Sequence, residues 1–185
     1  MRHISAFGGL IACAAIGMPA VSATGAVEHS CTTASCEVVA SASPTTITSA
    51  GVGAVKLGRT YASLRAAGRL GKIAPGCELG GPRTRSAPLR APLRGSVDLT
   101  LGTSRRIASI SVRGGATARG VGVGASAAQI RAAFPRAVFD RRGEAMFGIT
   151  FVRVPQGGGG RLEFGVDTTT KRVTVIGIPR IALCE

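Results

Sequence analysis

The sequence predicts an α+β fold in which two tandem helix-plus-β-hairpin repeats share one antiparallel sheet. The first observation is an internal repeat: residues 57–67 and 123–133 align without a gap at an offset of 66, and Gly-Val-Gly introduces each copy. The second is that residues 106–110 match residues 172–176 at the same offset, which chance similarity between two short helices would not produce. The third is the pattern within each copy, where a capped helical segment precedes alternating strand segments.

The first residues have the features of a secretory signal. Arg2 precedes an apolar segment, and Val21-Ser22-Ala23 has the small-x-small form that a signal peptidase requires. Residues 1–23 are therefore predicted to be a removed signal peptide, so that the mature protein is secreted or resides in the cell envelope. Leu10-Ile11-Ala12-Cys13 offers the alternative of a lipobox with an acylated Cys13. Its apolar stretch is short and continues past the cysteine, which favours secretion over lipid anchoring.

The mature chain is predicted to have no membrane span, because no later segment is long and apolar enough. It retains four cysteines, an even number that in an exported chain predicts two disulfides. Four cysteines permit three pairings. We favour Cys31 with Cys36 as a local loop and Cys77 with Cys184 as a long bridge.

The predicted domain follows an N-terminal arm. Residues 24–50 are rich in Ser, Thr and Ala without sustained periodicity, so we expect a flexible arm there. A single domain is expected over residues 51–185. Its repeats span about 51–113 and 120–178.

Each repeat is expected to open with a helix. Thr60 is the predicted N-cap of the first helix, because its hydroxyl can accept a hydrogen bond from an unpaired amide of the first turn. Ser126 is the predicted N-cap of the second, and Gln129 completes the spacing of a capping box. Pro135 is expected to end the second helix.

Alternating apolar residues predict a hairpin after each helix, with one residue added to the turn of the second copy. The stretch 75–95 of the first repeat has no such periodicity and is predicted to be one long surface loop. Strands are predicted over 97–101, 107–112, 137–140, 146–154, 162–166 and 173–178.

The charge is strongly positive, with a formal net charge of +14 that falls to +13 when residues 1–23 are removed. A surface of this charge attracts polyanions, and a solvated basic surface without a dedicated partner is the alternative. The predicted loop 75–95 is the densest positive segment, and it is either an anion-binding segment or a plain flexible insertion. Its candidate anion-binding residues are Arg83, Arg85, Arg90 and Arg94.

Catalytic groups are scarce. The only histidine after residue 23 is His29 in the arm, so a Ser-His-Asp or Cys-His arrangement cannot be built on the domain. His29, Cys31 and Cys36 could formally ligate zinc, but a disulfide between the two cysteines is favoured. Gly120 to Ala125 matches a dinucleotide-binding loop only formally, because the first repeat has the same helix without that glycine pattern. We therefore predict no catalytic, cofactor-binding or metal-binding residues and no cofactor.

Short motifs suggest relatives. Gly58-x-Thr60, followed by Leu64 and Gly68 at four-residue intervals, resembles the helix entry of the small barrel-assembly lipoproteins of the SmpA/OmlA (BamE) type. Tandem helix-plus-hairpin units in a disulfide-bonded exported chain are similar to the β-lactamase inhibitory protein family, whose two repeats form a curved sheet that clasps a target. The chain also resembles a family of uncharacterised secreted bacterial proteins with a repeated Gly-Ile-Gly entry and a C-terminal cysteine. These resemblances cover about residues 51–184 and imply the fold more than the function.

The predicted function is that of a non-enzymatic binding module, acting on an unknown extracellular protein or an anionic envelope polymer. Nucleic acid is disfavoured as the partner. One alternative is a small extracellular hydrolase that uses Asp98 and Glu163, two carboxylates at outward strand positions where solvated charges are ordinary. Another is the inhibitor role that the second resemblance implies.

Overall fold

The computed structural model describes residues 45–77 and 81–183. Within these residues strands account for 46% and helices for 15%, so the α+β prediction is wrong and the fold is mostly β. The strands form two sheets instead of one shared sheet. Cys77, the one cysteine among the described residues, is disulfide-bonded. Several strands could not be predicted from the sequence, because they are only two to four residues long and show no periodicity.

In chain order, the first half contains β1 Thr45–Thr48, β2 Gly51–Val52, β3 Val55–Lys56, α1 Tyr61–Ala66, β4 Ala74–Pro75, β5 Arg85–Pro88, β6 Arg94–Leu99 and β7 Ile107–Gly114. The second half has β8 Ala116–Ala118, β9 Val121–Gly122, α2 Ala127–Ala133, β10 Val138–Asp140, α3 Glu144–Phe147, β11 Ile149–Pro155, a 3-10 turn Gly157–Gly159, β12 Arg161–Asp167 and β13 Val173–Ile178. In the part of the chain that the structure describes, no helix has the length and apolar character needed to cross a membrane.

The larger sheet has eight strands in the order β10-β11-β12-β13-β7-β6-β5-β4, and all neighbours are antiparallel. The smaller sheet has five strands in the order β3-β2-β1-β8-β9, in which β1 and β8 are parallel and the other pairs antiparallel. Its middle strand, Thr45–Thr48, falls at the end of the predicted flexible arm. A two-stranded ribbon from each half of the chain lies on either side of it, β2 and β3 from the first half and β8 and β9 from the second.

The offset of 66 recurs in the contacts of the two halves. Thr60 forms a bridge with Arg106, and Ser126 forms the same bridge with Arg172. In the large sheet, four strands from each half meet where β7 pairs with β13. Ser111 pairs there with Gly177, which lies 66 positions later, so an approximate two-fold axis passes through this pair.

Each half contains more than a helix and a hairpin. Residues 75–95, predicted as one loop, hold β5 and the start of β6. The strand β5 buries one side chain completely, Ala87, so it has no apolar alternation that would reveal it in the sequence.

The predicted length difference between the two hairpin turns is also wrong. Leu99 pairs with Ile107 and Val166 with Val173, with an irregularity one residue before each of these pairs, so the second turn is one residue shorter. Leu101, which alternation placed in the strand, lies in the turn and is 61% exposed. The alternating pattern of a strand repeats every two residues. It therefore looks the same after a shift of two residues, which leaves every side chain on the same face of the sheet.

The main core lies against one face of the large sheet, where strand residues such as Ile110 and Phe164 pack with Leu64 of α1, Ile130 of α2 and residues of the small sheet. We call this face the inner face. On the outer face, residues 179–183 fold back over the sheet, with Leu183 reaching Cys77 of the first half, and we call them the return segment. Ile181 of this segment packs against Phe151 and Val175 in a second, smaller cluster.

Candidate functional site

The two carboxylates of the hydrolase alternative lie apart. Asp98 is on β6 and Glu163 on β12, and β7 and β13 lie between them. Three strand spacings correspond to about 14 Å between the backbones, whereas paired glycosidase carboxylates lie about 5 to 9.5 Å apart. Asp98 accepts a hydrogen bond from the hydroxyl of Ser109 on the neighbouring strand. This geometry gives the hydrolase alternative no support.

Glu163 is not the solvated charge that its outward strand position predicts, since it is only 7% exposed. Its Oε2 accepts a hydrogen bond from the backbone amide of Ile181 at 2.9 Å, and its Oε1 accepts one from Nε of Arg153 at 3.3 Å. Arg153 also forms an ion pair with Asp140 at 2.8 Å. Glu163 thus anchors the return segment, which the sequence could not show because the segment lies 18 residues further along the chain.

Two glycines make room for the return segment. A Cβ on Gly177 would lie 2.3 Å from the carbonyl carbon of Arg180, and a Cβ on Gly165 would lie 3.2 Å from Cδ1 of Ile181. Real Cβ atoms do not approach backbone atoms at the first of these distances. The outer face of the second half is therefore occupied by the chain itself.

The four predicted anion-binding arginines do not come together. Arg83 and Arg85 lie at the start of β5, whereas Arg90 and Arg94 flank the turn between β5 and β6. Arg85 is half-buried and donates hydrogen bonds from Nη1 to the carbonyl oxygens of Pro82 and Thr84. The structure thus divides the four into two pairs at opposite ends of a strand.

Arg90 and Arg94 lie near basic residues of α1 and of the segment that follows it. The amide of Arg90 donates to the carbonyl oxygen of Arg69 at 3.0 Å, and Leu70 forms a bridge with Leu89. Nη1 of Arg65 donates to the carbonyl oxygen of Leu70 at 2.9 Å. We define the basic cluster as Arg65, Arg69, Lys72, Arg90 and Arg94. Arg65, Arg69 and Lys72 were not predicted from the sequence, because they precede the predicted loop 75–95. They lie near it only because Leu70 pairs with Leu89.

The charge of the two halves differs. Residues 45–77 and 81–97 include nine Lys and Arg but no Asp or Glu. The ion pairs between described residues all lie in the second half, where Asp140, Glu144 and Glu163 pair with arginines. The hydrogen bond from the Arg142 side chain lowers the pKa of Asp140 well below its ordinary value, and Arg141 lowers that of Glu144 in the same way. Among the described residues, the first half through Gly114 thus carries twelve Lys and Arg against one Asp, and the second half carries ten against four Asp and Glu, so the excess of positive charge is larger in the first half.

The other predicted site residues are only partly described. Cys77 is described and half-buried, and its Sγ lies 3.4 Å from the carbonyl oxygen of Leu183. The remaining predicted disulfide cysteines, Cys31, Cys36 and Cys184, lie outside the described residues together with His29 and the predicted signal peptide. Cys77 is disulfide-bonded, as predicted, whereas the two pairings, Cys31 with Cys36 and Cys77 with Cys184, stay predictions. Among residues 45–77 and 81–183, no three His, Cys, Asp or Glu side chains are grouped as a metal site requires.

Both predicted N-cap residues lie at helix starts. The hydroxyl oxygen of Thr60 accepts a hydrogen bond from the amide of Ser63 at 3.4 Å. Ser126 and Gln129 form a capping box, in which each side chain accepts from the other residue's backbone amide. These contacts satisfy amides that have no partner within the helix.

No protein-family model matches the chain, no curated protein matches its sequence and no solved structure matches its fold. The family resemblances drawn from short motifs therefore stay hypotheses.

Proposed function

We propose that this protein is a non-enzymatic binding module that acts outside the cytoplasm and holds an anionic polymer on the surface of its first half. The observation that supports the proposal is the charge imbalance between the halves. Nine basic residues without an acidic one precede Asp98 in the described chain, while the carboxylates that pair with arginines belong to the second half.

A surface of this kind suits a polymer more than a single ion. An exposed ion pair contributes about 0–1 kcal/mol, because both partners remain hydrated. A polymer that contacts several cations at once combines these small terms and releases its condensed counterions. The separation of Asp98 from Glu163 supports binding without hydrolysis.

The proposal is tested by titrating labelled anionic polymers with the full secreted chain at low and at high salt, with neutral dextran as the control. We expect binding to the polyanions at about 50 mM salt, a loss of affinity of at least tenfold at about 200 mM, and no binding to dextran. Absence of binding to every polyanion at low salt would contradict the proposal. Shortening of a bound polymer, followed on gels, would contradict its non-enzymatic part.

A further inference from the structure

We infer that the basic cluster is the docking surface and that the polymer it fits is a linear phosphate chain without bases, an inference that rests on the proposed function. Arg90 and Arg94 flank the turn between β5 and β6, and the guanidinium of Arg94 lies over Gly114 of β7. Arg65 lies in the last turn of α1, and Arg69 and Lys72 follow that helix. Arg69, Lys72, Arg90 and Arg94 are exposed, and their side chains make no hydrogen bond or ion pair with other described residues. Four cations are thus available to a ligand.

The second half provides an internal comparison, because it builds the same corner of the fold from different residues. Helix alignment and strand pairing place Arg131, Pro135, Val138, Pro155 and Arg161 at the positions of the five cluster residues.

Three of these five positions carry no charge. The guanidinium of Arg131 lies over the ring of Phe139, 4.1 Å from its centroid. Since the second half forms the corresponding helix and strands with uncharged residues at three of these positions, those elements do not require five cations to fold. The basic cluster is therefore specific to the first half, and the fold of that half does not depend on its charges.

Exposure of the cluster favours an extended ligand. Side chains that project from a turn and a loop cannot enclose a single phosphate, and each contact alone is weak. A chain with closely spaced phosphates can contact four or five cations together. The planar guanidinium of arginine donates two parallel hydrogen bonds to one phosphate or carboxylate group, and three of the four available cations are arginines.

The same surface offers no platform for bases. Tyr61 is the one aromatic residue among the described residues of the first half, and its hydroxyl donates to the carbonyl oxygen of Gly71 at 3.0 Å. Proteins that bind single-stranded nucleic acids stack successive bases on several aromatic side chains. Recognition here therefore depends on the charged backbone of the polymer.

The experiment compares two variants of the full chain with equal charge loss, using linear inorganic polyphosphate as the probe. The cluster variant carries Arg69→Gln, Arg90→Gln and Arg94→Gln. The control variant carries Arg136→Gln, Arg161→Gln and Arg180→Gln, which replace exposed arginines that form no ion pair with described residues.

We expect the cluster variant to bind polyphosphate roughly 10- to 100-fold more weakly at low salt. The slope of log K against the logarithm of the salt concentration should be smaller in magnitude by about 2. The control variant should lose less than about threefold, because only the long-range attraction changes. Equal losses in both variants would overturn the assignment to the cluster while leaving the proposed function intact. Failure of the unaltered chain to bind any polyanion would overturn both.

Two competing probes test the chemical class. Polyglutamate of matched length should bind more weakly than polyphosphate, and equal affinity would overturn the preference for phosphate. Single-stranded DNA of equal charge should bind no more tightly than polyphosphate. Tighter binding of the DNA would show that the protein recognises bases and would overturn the preference for a phosphate chain without them. If a triple variant does not fold, the single changes Arg90→Gln and Arg136→Gln provide the same comparison.

Discussion

Arg106 donates a hydrogen bond from Nη1 to the carbonyl oxygen of Gly58, 48 residues earlier in the chain, at 2.8 Å. Arg172 makes the equivalent contact with Gly124 at 3.2 Å. In each half this contact joins the start of the last strand to the loop that precedes the helix. The two arginines thus have the same structural role, and each guanidinium is bonded to a carbonyl oxygen, whereas Arg69, Lys72, Arg90 and Arg94 make no such contact with described residues.

Replacing Arg106 or Arg172 with Met should lower the free energy of unfolding by about 1 kcal/mol in each case. The change removes a charged donor from a carbonyl that can then bind water. Urea denaturation measures the effect, and Arg136→Met serves as the control because its side chain is exposed. Unequal effects at the two equivalent positions would contradict their structural equivalence.

Gly177→Ala should destabilise the protein by about 1–3 kcal/mol, because the new Cβ would collide with the backbone at Arg180 and displace the return segment. Gly157→Ala is the matched control, since a Cβ there meets no atom within 4 Å. We expect the control to change stability by less than about 0.5 kcal/mol. A neutral Gly177→Ala variant would show that the return segment does not pack on the sheet.

Glu163→Ala should speed hydrogen exchange at the amide of Ile181, because it removes the carboxylate oxygen to which that amide donates. The cost in stability should be about 1–3 kcal/mol, since Arg153 also loses an acceptor. Glu163→Gln keeps an acceptor for the amide and should give a smaller increase in exchange. Exchange at Ile181 that is equal in all three proteins would rule out the anchoring role.

Asp140 should contribute to acid sensitivity. Its pKa in the folded protein is lowered, chiefly by the hydrogen bond from the Arg142 side chain, so the folded state binds a proton less readily than the unfolded state does. The stability it contributes is fully present above the ordinary carboxyl pKa of about 4 and is lost as the pH falls through the lowered folded-state value. In Asp140→Asn, urea midpoints should therefore fall less between about pH 5 and pH 2. An unchanged pH dependence would exclude this role.

Peptide mapping of the non-reduced protein should find Cys77 linked to Cys184. The sulfur of Cys77 lies 3.4 Å from the carbonyl oxygen of Leu183, the residue that precedes Cys184. A bridge closing so long a loop contributes about 4–5 kcal/mol in the chain-entropy model. Linkage of Cys77 to Cys31 or Cys36 would contradict the pairing.

The candidate site was only partly accessible to sequence reasoning. Arg90 and Arg94 stand out because they lie in a dense positive segment, but Arg83 and Arg85 of the same segment lie at the other end of β5. Arg65, Arg69 and Lys72 carry no local sign of a site. They join the cluster because Leu70 pairs with Leu89, a contact between residues 19 positions apart.

The sequence by itself determined the duplication at an offset of 66, the helix starts at Thr60 and Ser126, and the faces of the longer strands. These features depend on neighbouring residues, since caps satisfy local amides and alternation reflects the geometry of one strand. The tertiary structure alone decided that the fold is mostly β, that Thr45–Thr48 is the middle of a second sheet, and that Glu163 is buried beneath the return segment. Each of these outcomes depends on hydrogen bonds or packing between distant segments, and residues that form such contacts leave no periodic pattern in the sequence.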